Sequence, residues 1–473
     1  MKNKIKNVMQ RPQFYLLPLA ALFAAGCMSP KYTKPVAPIP AAFPMADAKS
    51  GSAAIDLGWR EFFKNPELQT VIATALENNR NLKTIILQVE EARALYDIQD
   101  ADRLPSINAT ASESRSRALL TTATPINRTV YQVGLSVTAF ELDLFNRVKN
   151  LSEAALAQFM ATEEARRSAQ ILLIGEVAKS WLTERTLNEQ VQLATRTLEG
   201  RQASFDLVKK RFDAGITNAL ELRQSDTLVQ SAKVSLLALK RQHALSVNAL
   251  HVLVGKHITP SASNQSIASQ EMMANIGAGL PSELLTQRPD IRAAEQRLRA
   301  MQANIAAARA AFFPRIALTA GVGTASTDLS GLFSSGQNTW SFVPSITLPI
   351  FDAGRNKANL KVAEVRSEIA VASYERTIQV AFREVADALA ARATLNDEVD
   401  AQQAVQKSQS ERLTLAQARY QNGIANYLEV LDAERELFTA EQQLLQTKLL
   451  NLTNAIDLYR ALGGGIQEMS KAN

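Results

Sequence analysis

The chain has 473 residues, 46% of them hydrophobic but only 6% aromatic, with a formal net charge of +6. Lys2, Lys4, Lys6 and Arg11 precede Cys27 with no acid among them, so a chain starting at Cys27 carries only +2 once those four are removed. That near-neutral balance excludes the electrostatic footprint of a nucleic-acid binder, and the Ala-, Leu-, Gln-, Arg- and Glu-rich usage is that of long helices rather than of several compact domains.

Residues 1–26 have the layout of a secretory signal. A basic stretch to Arg11 precedes an apolar run from Phe14 to Ala25, interrupted by Pro18 and followed by a small residue. The run is too short to span a bilayer. Cys27 is the only cysteine, so an internal disulfide is impossible. Ala24-Ala25-Gly26-Cys27 resembles a bacterial lipobox, departing from it at Ala24, where Leu is preferred. The resemblance implies cleavage before Cys27 and acylation of that cysteine, for example by palmitate. Apart from that covalent lipid no cofactor is expected. Met28, not Asp, comes next, which in such lipoproteins implies sorting to the outer membrane. Acyl chains hold a protein through about 0.8 kcal/mol per buried methylene. Pro30, Pro35, Pro38, Pro40 and Pro44 then make residues 27–58 an extended tether.

From Pro66 the apolar residues Leu68, Val71, Ile72, Ala75, Leu76, Leu82, Ile85, Ile86 and Val89 recur at helical spacing, predicting a helix that ends near Pro105. Two segments of alternating residues come after it. Ile107, Ala109 and Ala111 oppose Asn108, Thr110 and Ser112; Tyr131, Val133, Leu135, Val137 and Ala139 oppose Gln132, Gly134, Ser136 and Thr138. Leu144 to Ala214 then reads as one very long helix with only Gly175 and Gly200 inside it, and Ile216–Val254 as a helix back. Residues 257–289, rich in Ser, Asn, Gln and Gly, form a linker.

The second half repeats this order. Ile316, Leu318, Ala320 and Val322 alternate with Ala317, Thr319, Gly321 and Gly323, as do Trp340, Phe342, Ile346, Leu348 and Ile350 with Ser341, Ser345 and Thr347. Arg355 to Asn422 contains neither Pro nor Gly and, as one helix, would run about 100 Å. Ile424–Leu462 forms the second return. Shifting the first copy by 208 places Arg211 on Arg419, Phe212 on Tyr420, Gly215 on Gly423, Ile216 on Ile424, Leu220 on Leu428, Glu221 on Glu429 and Gly255 on Gly463. Two copies of a unit of this layout suggest a tube, not a globular enzyme.

Strands of about ten residues with one apolar face match tilted membrane strands. Four of them are too few to close a barrel around a pore, so either they pack as an open sheet or several chains share one wall. Catalytic signatures are missing: the sequence has no HExxH, CxxC, GxxxxGK[ST] or GxSxG. His243 and His251 would lie about 12 Å apart on a helix, too far to share a metal.

Further stretches carry a family resemblance: Gly58-Trp59-Arg60-Glu61-Phe62-Phe63, Ala75-Leu76-Glu77-Asn78-Asn79-Arg80, Phe140-Glu141-Leu142-Asp143-Leu144-Phe145, Leu280-Pro281-Ser282-Glu283-Leu284-Leu285 with Arg288-Pro289-Asp290, Ala308-Arg309-Ala310-Ala311-Phe312-Phe313-Pro314, Arg419-Tyr420 with Gly423, and Ala461-Leu462-Gly463-Gly464-Gly465. Together they resemble the outer membrane factors of tripartite RND-type efflux pumps, in their lipoprotein branch. The resemblance implies a mixed α+β membrane protein. It would be a homotrimer with a twelve-stranded β-barrel in the outer-membrane lipid, four strands per chain, continued by a twelve-helix periplasmic α-barrel. A mixed equatorial collar would come from residues near 59–66, 186–200, 255–289 and 400–410. Residues 59–256 and 290–465 would be the two repeats, 257–289 the equatorial segment between them and 466–473 a tail.

The function so implied is a passive exit duct for drugs or other small toxic molecules. It would work with a periplasmic adaptor (membrane fusion) protein and an inner-membrane RND-type transporter, and without nucleic acid. The alternatives are the outer-membrane channel of type I protein secretion and a pore-less periplasmic coiled-coil scaffold. The resemblance further implies that Tyr420, Leu428, Asp432 and Arg435 close the periplasmic aperture, with Asp213, Leu220 and Gln224 of the first copy supplying neighbouring hydrogen bonds. Arg211, Gly215, Ile216, Arg419, Gly423 and Ile424, at the two helix reversals, become the docking tips for the adaptor.

Overall fold

The computed structural model describes residues 32–44, 52–119, 125–258, 267, 276–277 and 281–465. The signal segment, Cys27, most of the linker and the 466–473 tail lie outside the described residues. In chain order the elements are β1 (Ser52–Ala53), α1 (Trp59–Phe62), α2 (Pro66–Asn78), α3 (Arg80–Ala101), β2 (Ile107–Leu119), β3 (Pro125–Glu141), α4 (Arg147–Asp213) and α5 (Ala219–Val254). Then come β4 (Ile276–Gly277), α6 (Pro281–Gln287), α7 (Pro289–Ala310), β5 (Arg315–Ser326), β6 (Asn338–Thr347), α8 (Arg355–Gln421) and α9 (Tyr427–Ala461). The chain forms two compact units. One holds Val89–Thr162 and Ala294–Tyr374 with the segment ending at Val36; the other holds Ala37–Gln88, Glu163–Ala293 and the chain from Glu375.

The first unit carries a four-stranded antiparallel sheet in the order β2-β3-β5-β6. Its register lines up the alternation of all four strands. Ile107, Val137, Ala320 and Phe342 form one row, and Ala109, Leu135, Val322 and Trp340 another. The rows between are Asn108, Ser136, Gly321, Ser341 and Thr110, Gly134, Gly323, Thr339. Residues opposite one another share a face and successive residues alternate. The sheet therefore has one apolar face and one face of small and polar groups. Val322, Trp340 and Ile346 on the apolar face are 63, 80 and 71% exposed. Such a continuous open apolar surface marks a contact with lipid or another chain.

Three details differ from the sequence reading. β2 and β3 run 13 and 17 residues, longer than the expected ten. β6 stops at Thr347, so Leu348 and Ile350 lie beyond the strand. Ala139 is not in the apolar row, because the β3–β5 register slips between Val137 and Phe140 and Ala139 turns to φ 51°. This is a bulge, whose extra residue breaks the two-residue period and re-aims the side chains after it. Gly134 and Gly323 sit opposite each other in the sheet, and a Cβ at Gly323 would overlap the Val133 carbonyl and Gly134 Cα. Gly323→Val is therefore expected to abolish recovery of folded protein from the membrane fraction. Gly200→Ala, in α4 with open space around it, should leave recovery intact or raise stability by up to about 1 kcal/mol; equal recovery of both variants would count against this packing.

In the second unit the helix predicted from Pro66 to Pro105 is broken at Asn79, which ends α2. Its side chain accepts from Leu82 N at 2.8 Å and donates to the Leu253 carbonyl at 2.7 Å. A buried asparagine offering both a cap and a tertiary bond outweighs continuation of the helix. Nearby, Gly255 ends α5 at φ 73°, and a Cβ there would overlap the Asn78 carbonyl. The aromatic core stacks Phe62 on Tyr459 at 4.1 Å, with Phe63 edge-on to both. The Tyr459 hydroxyl donates to Leu57 O at 2.7 Å. Arg288, directly before α7, is nearly buried. It donates to Asp290 at 2.6 and 3.0 Å, to Glu384 at 2.9 Å and to the Ala461 carbonyl at 2.8 Å, tying α7 to α8 and to the end of α9. Helices α4 and α8 each run 67 residues. Gly175 lies inside α4 facing Arg460 and Ile456 of α9, and a Cβ added there would meet them at ordinary contact distances of 3.5 and 3.7 Å.

Candidate functional site

The two helix reversals of the second unit are built alike. At the end of α4, Ile216 N bonds Arg211 O at 2.8 Å and Gly215 N bonds Phe212 O at 2.9 Å; at the end of α8, Ile424 N bonds Arg419 O at 2.9 Å and Gly423 N bonds Tyr420 O at 3.0 Å. This paired closure is the Schellman motif, and it requires a left-handed residue, supplied by Gly215 at φ 72° and Gly423 at φ 71°. Three residues on, Asn218 and Asn426 cap the returning helices by accepting from Glu221 N and Glu429 N. The return helices therefore start at Ala219 and Tyr427, three residues later than the sequence reading placed them. An asparagine cap holds extended backbone, so the helix cannot begin at the isoleucine. Ile216 and Ile424 are left 66 and 69% exposed, apolar side chains at the extremity of each hairpin.

Between the hairpins Tyr420 is the central group. Its hydroxyl donates to Glu221 at 2.8 Å and accepts from Arg211 Nη1 at 2.7 Å, while the guanidinium of Arg211 stands 5.0 Å from the tyrosine ring. Glu221 also receives the Thr217 hydroxyl. Burial pushes the Tyr420 hydroxyl up to about 12, reinforced by Glu221 and opposed by Arg211, so it remains a donor. Tyr427 packs against it at 5.0 Å over a core of Val208, Ala416, Val430, Leu431 and Ala433. Arg419 pairs with Glu429 at 3.4 Å.

One turn into α9, Asp432 takes Arg435 at 2.5 Å and Arg412 of α8 at 2.6 Å, one on each carboxylate oxygen. Leu428 stands exposed on the same face. The structure thus joins Tyr420 to the tip residue Arg211, and Asp432 to Arg435. Among the described residues no hydrogen bond or ion pair links the two clusters within one chain. Within one chain, and among the described residues, Glu221 and Arg412 supply the neighbouring bonds. Arg412 was accessible to sequence reasoning, because residues 412 and 432 are symmetric about the turn at 422 and so face each other in an antiparallel hairpin. The Tyr420–Glu221 bond spans 199 residues and had no local signal.

No group of three metal-ligating side chains occurs among the described residues. His243 is held by Glu184 at 2.8 Å, and His251 packs on His257 with ring centroids 4.3 Å apart. The arrangement offers bonds that can be made and broken between helices, and no nucleophile poised against a base.

A family model described as outer membrane efflux protein matches the chain twice, over residues 71–256 and 280–464. The chain is 45% identical over 464 residues to the solvent efflux pump outer membrane protein SrpC of Pseudomonas putida, covering 96% of this chain and 98% of that one. It is 44% identical over 458 residues to the cation efflux system protein CusC of Escherichia coli (strain K12), covering 95 and 99%. Among solved structures it is similar to the open state of the MtrE outer membrane channel of Neisseria gonorrhoeae, with a TM-score of 0.86 and 40% identity over 93% of this chain and 98% of that one.

Proposed function

The chain belongs to the outer membrane efflux protein family, and from that premise we propose how it carries out export. It is an outer-membrane exit duct of an efflux pump and not an enzyme. Such ducts work with an adaptor and an inner-membrane transporter in tripartite pumps. In our reading three copies assemble, their sheets closing one twelve-stranded barrel and their long helices one twelve-helix tunnel. The observation that carries this reading is the in-register apolar face, continuous across four strands and ending at the two sheet edges β2 and β6. Open edges invite strand pairing, and the hydrocarbon region tolerates strands only in a closed barrel. Three sheets joined edge to edge satisfy both.

Cys27 would carry the lipid that anchors the chain beside the barrel. At the periplasmic end, Tyr420, Leu428, Asp432 and Arg435 would close the aperture, with Arg412 and Glu221 as their partners. Arg211, Gly215, Ile216, Arg419, Gly423 and Ile424 would form the tips that receive the adaptor. Docking there would favour a second packing in which the helices splay, a population shift rather than a chemical step. The cargo is small toxic molecules, the class that includes the solvents and cations in the names of the two relatives. Deleting the gene and testing growth against antibiotics, dyes, solvents and metals decides this. Hypersensitivity to at least one group, restored by the wild-type chain, is expected; unchanged tolerance to all would contradict the proposal.

The tips give a second expectation. Ile216→Trp and Ile424→Trp should weaken cross-linking to the adaptor while the assembled oligomer persists, since both side chains point away from the core. Full cross-linking and full resistance in both variants would reduce Gly215-Ile216 and Gly423-Ile424 to helix caps.

A further inference from the structure

Above the tips, the interface between α4 and α9 holds a buried arginine and a half-buried glutamate that do not meet. Arg201 of α4 is 6% exposed. Its Nη1 donates weakly to Leu228 O of α5 at 3.3 Å, and its guanidinium stands 5.7 Å from the Phe438 ring. Its Nε has no hydrogen-bond partner, nor has Oε2 of Glu434 on α9, and both atoms are buried. Each group senses the other's charge, yet the two make no ion pair among the described residues. The titratable groups that act on the pair are Arg201 on Glu434, and Glu434 and Tyr427 on Arg201; an apolar cluster of Val208 from α4, Ala416 from α8 and Val430 and Leu431 from α9 includes Tyr427. Tyr427 of α9, pushed up to about 12 chiefly by its burial, is neutral near pH 7.

A carboxylate whose oxygen is enclosed without a partner is disfavoured, and the protein escapes that cost either by neutralising the group or by closing the pair. Arginine cannot readily lose its proton. Glu434 can gain one, and burial holds its carboxyl above the usual range even with Arg201 opposing. We propose that Glu434 and Arg201 form a proton-dependent toggle that sets how α9 packs against α4. With Glu434 protonated, the present packing is favoured. With Glu434 ionised, the cost of burial is relieved by contact with Arg201, which requires α9 to shift.

The sign comes from linkage. The present packing is supported most at low pH; it loses support as pH rises above the ordinary carboxylate range, and the loss is complete above the raised value of Glu434. Leu428, Asp432 and Arg435 lie on the same helix within two turns of Glu434, so a shift of α9 moves them too. This coupling rests on the duct reading above; the toggle itself does not.

The test uses the full-length assembled protein and reads packing separately from conduction. Hydrogen exchange across residues 427–445, corrected for intrinsic rate, should be slower in the wild type at about pH 4 than at about pH 8, by up to about tenfold per pH unit between the ordinary carboxylate range and the raised value of Glu434. Glu434→Gln, uncharged and of the same shape, should stay slow at both. Arg201→Met, which removes the counter-charge, should move the transition to higher pH. Equal corrected exchange at both pH values in the wild type, or wild-type pH dependence in Glu434→Gln, would overturn the toggle. Bilayer conductance over the same range should rise with pH in the wild type and stay flat in Glu434→Gln. Exchange that toggles without a matching change in conductance would overturn the coupling to the pore and leave the duct reading intact.

Discussion

Replacing Asp432 and Arg435 together by alanine raises the resting conductance of the assembled duct about tenfold or more and sensitises cells to large antibiotics such as vancomycin. The size of the effect comes from repetition. In one chain Asp432 bonds Arg435 and Arg412 at the surface, and an exposed pair contributes only about 0.2–1 kcal/mol. In the proposed trimer the inter-helix bond from Arg412 to Asp432 would occur three times, while the Arg435 pair lies within α9 and holds the carboxylate in place. At about 0.5 kcal/mol each, three such bonds bias the closed packing by about 1.5 kcal/mol, near a tenfold change in the closed-to-open ratio. Confinement of the charges at an aperture would leave them less screened than on an open surface. Asp432→Ala alone removes both bonds and should account for most of the effect; Arg435→Ala alone leaves Arg412 in place and should do less. Unchanged conductance in a correctly assembled double variant would return these residues to ordinary surface pairs.

Arg288→Ala is expected to destabilise the second unit by about 3–5 kcal/mol, the range for removing one partner of a buried charge network. The guanidinium is nearly enclosed; burial disfavours its charge, but Asp290 and Glu384 more than compensate and hold it firmly protonated. Its loss leaves Glu384 and the Ala461 carbonyl without this donor, and Asp290 with only the Ile291 N–H among the described residues, at the junction of α7, α8 and α9. Arg288→Lys keeps the charge but not the planar fork, so it should recover only part of the loss. Folded protein in the outer-membrane fraction and its denaturation midpoint check both. Wild-type values in Arg288→Ala would show that the network contributes little.

Much of the fold was legible because its signals are local. Period-two alternation placed all four strands, and the absence of Pro and Gly between Arg355 and Asn422 gave α8 within one residue. The register of the four strands was not legible, because alternation fixes which residues share a face and not which strand pairs with which. The Ala139 bulge escaped for a related reason: an alanine at φ 51° leaves no mark on composition. Asn79 was overlooked although a buried cap asparagine can interrupt a helix, since the apolar spacing ran on through Leu82 and Ile85.

Within the candidate site, Asp432 and Arg435 were accessible as a pair three residues apart on one helix. Gly215 and Gly423 were accessible as helix ends that need a left-handed residue. Tyr420 was found, but its partners Arg211 and Glu221 belong to the other copy of the repeat. The shift by 208 that aligned Glu221 with Glu429 also conceals that only Tyr420, and not its counterpart Phe212, can hydrogen-bond. Arg201 and Glu434 looked in sequence like any charged residues of a solvated helix. Only packing reveals that Arg201 is enclosed, that one oxygen of Glu434 is buried, and that the two stand apart.

The central claim is that this chain makes a duct whose inner end is held by bonds at the tips. Single-channel recording of the purified wild-type protein in planar bilayers, beside the Asp432 and Arg435 double variant, tests it most directly. The account predicts small, discrete conductance from the wild type and a larger conductance of the same kind from the variant. Assembled protein that inserts into the bilayer yet conducts in neither form would contradict it.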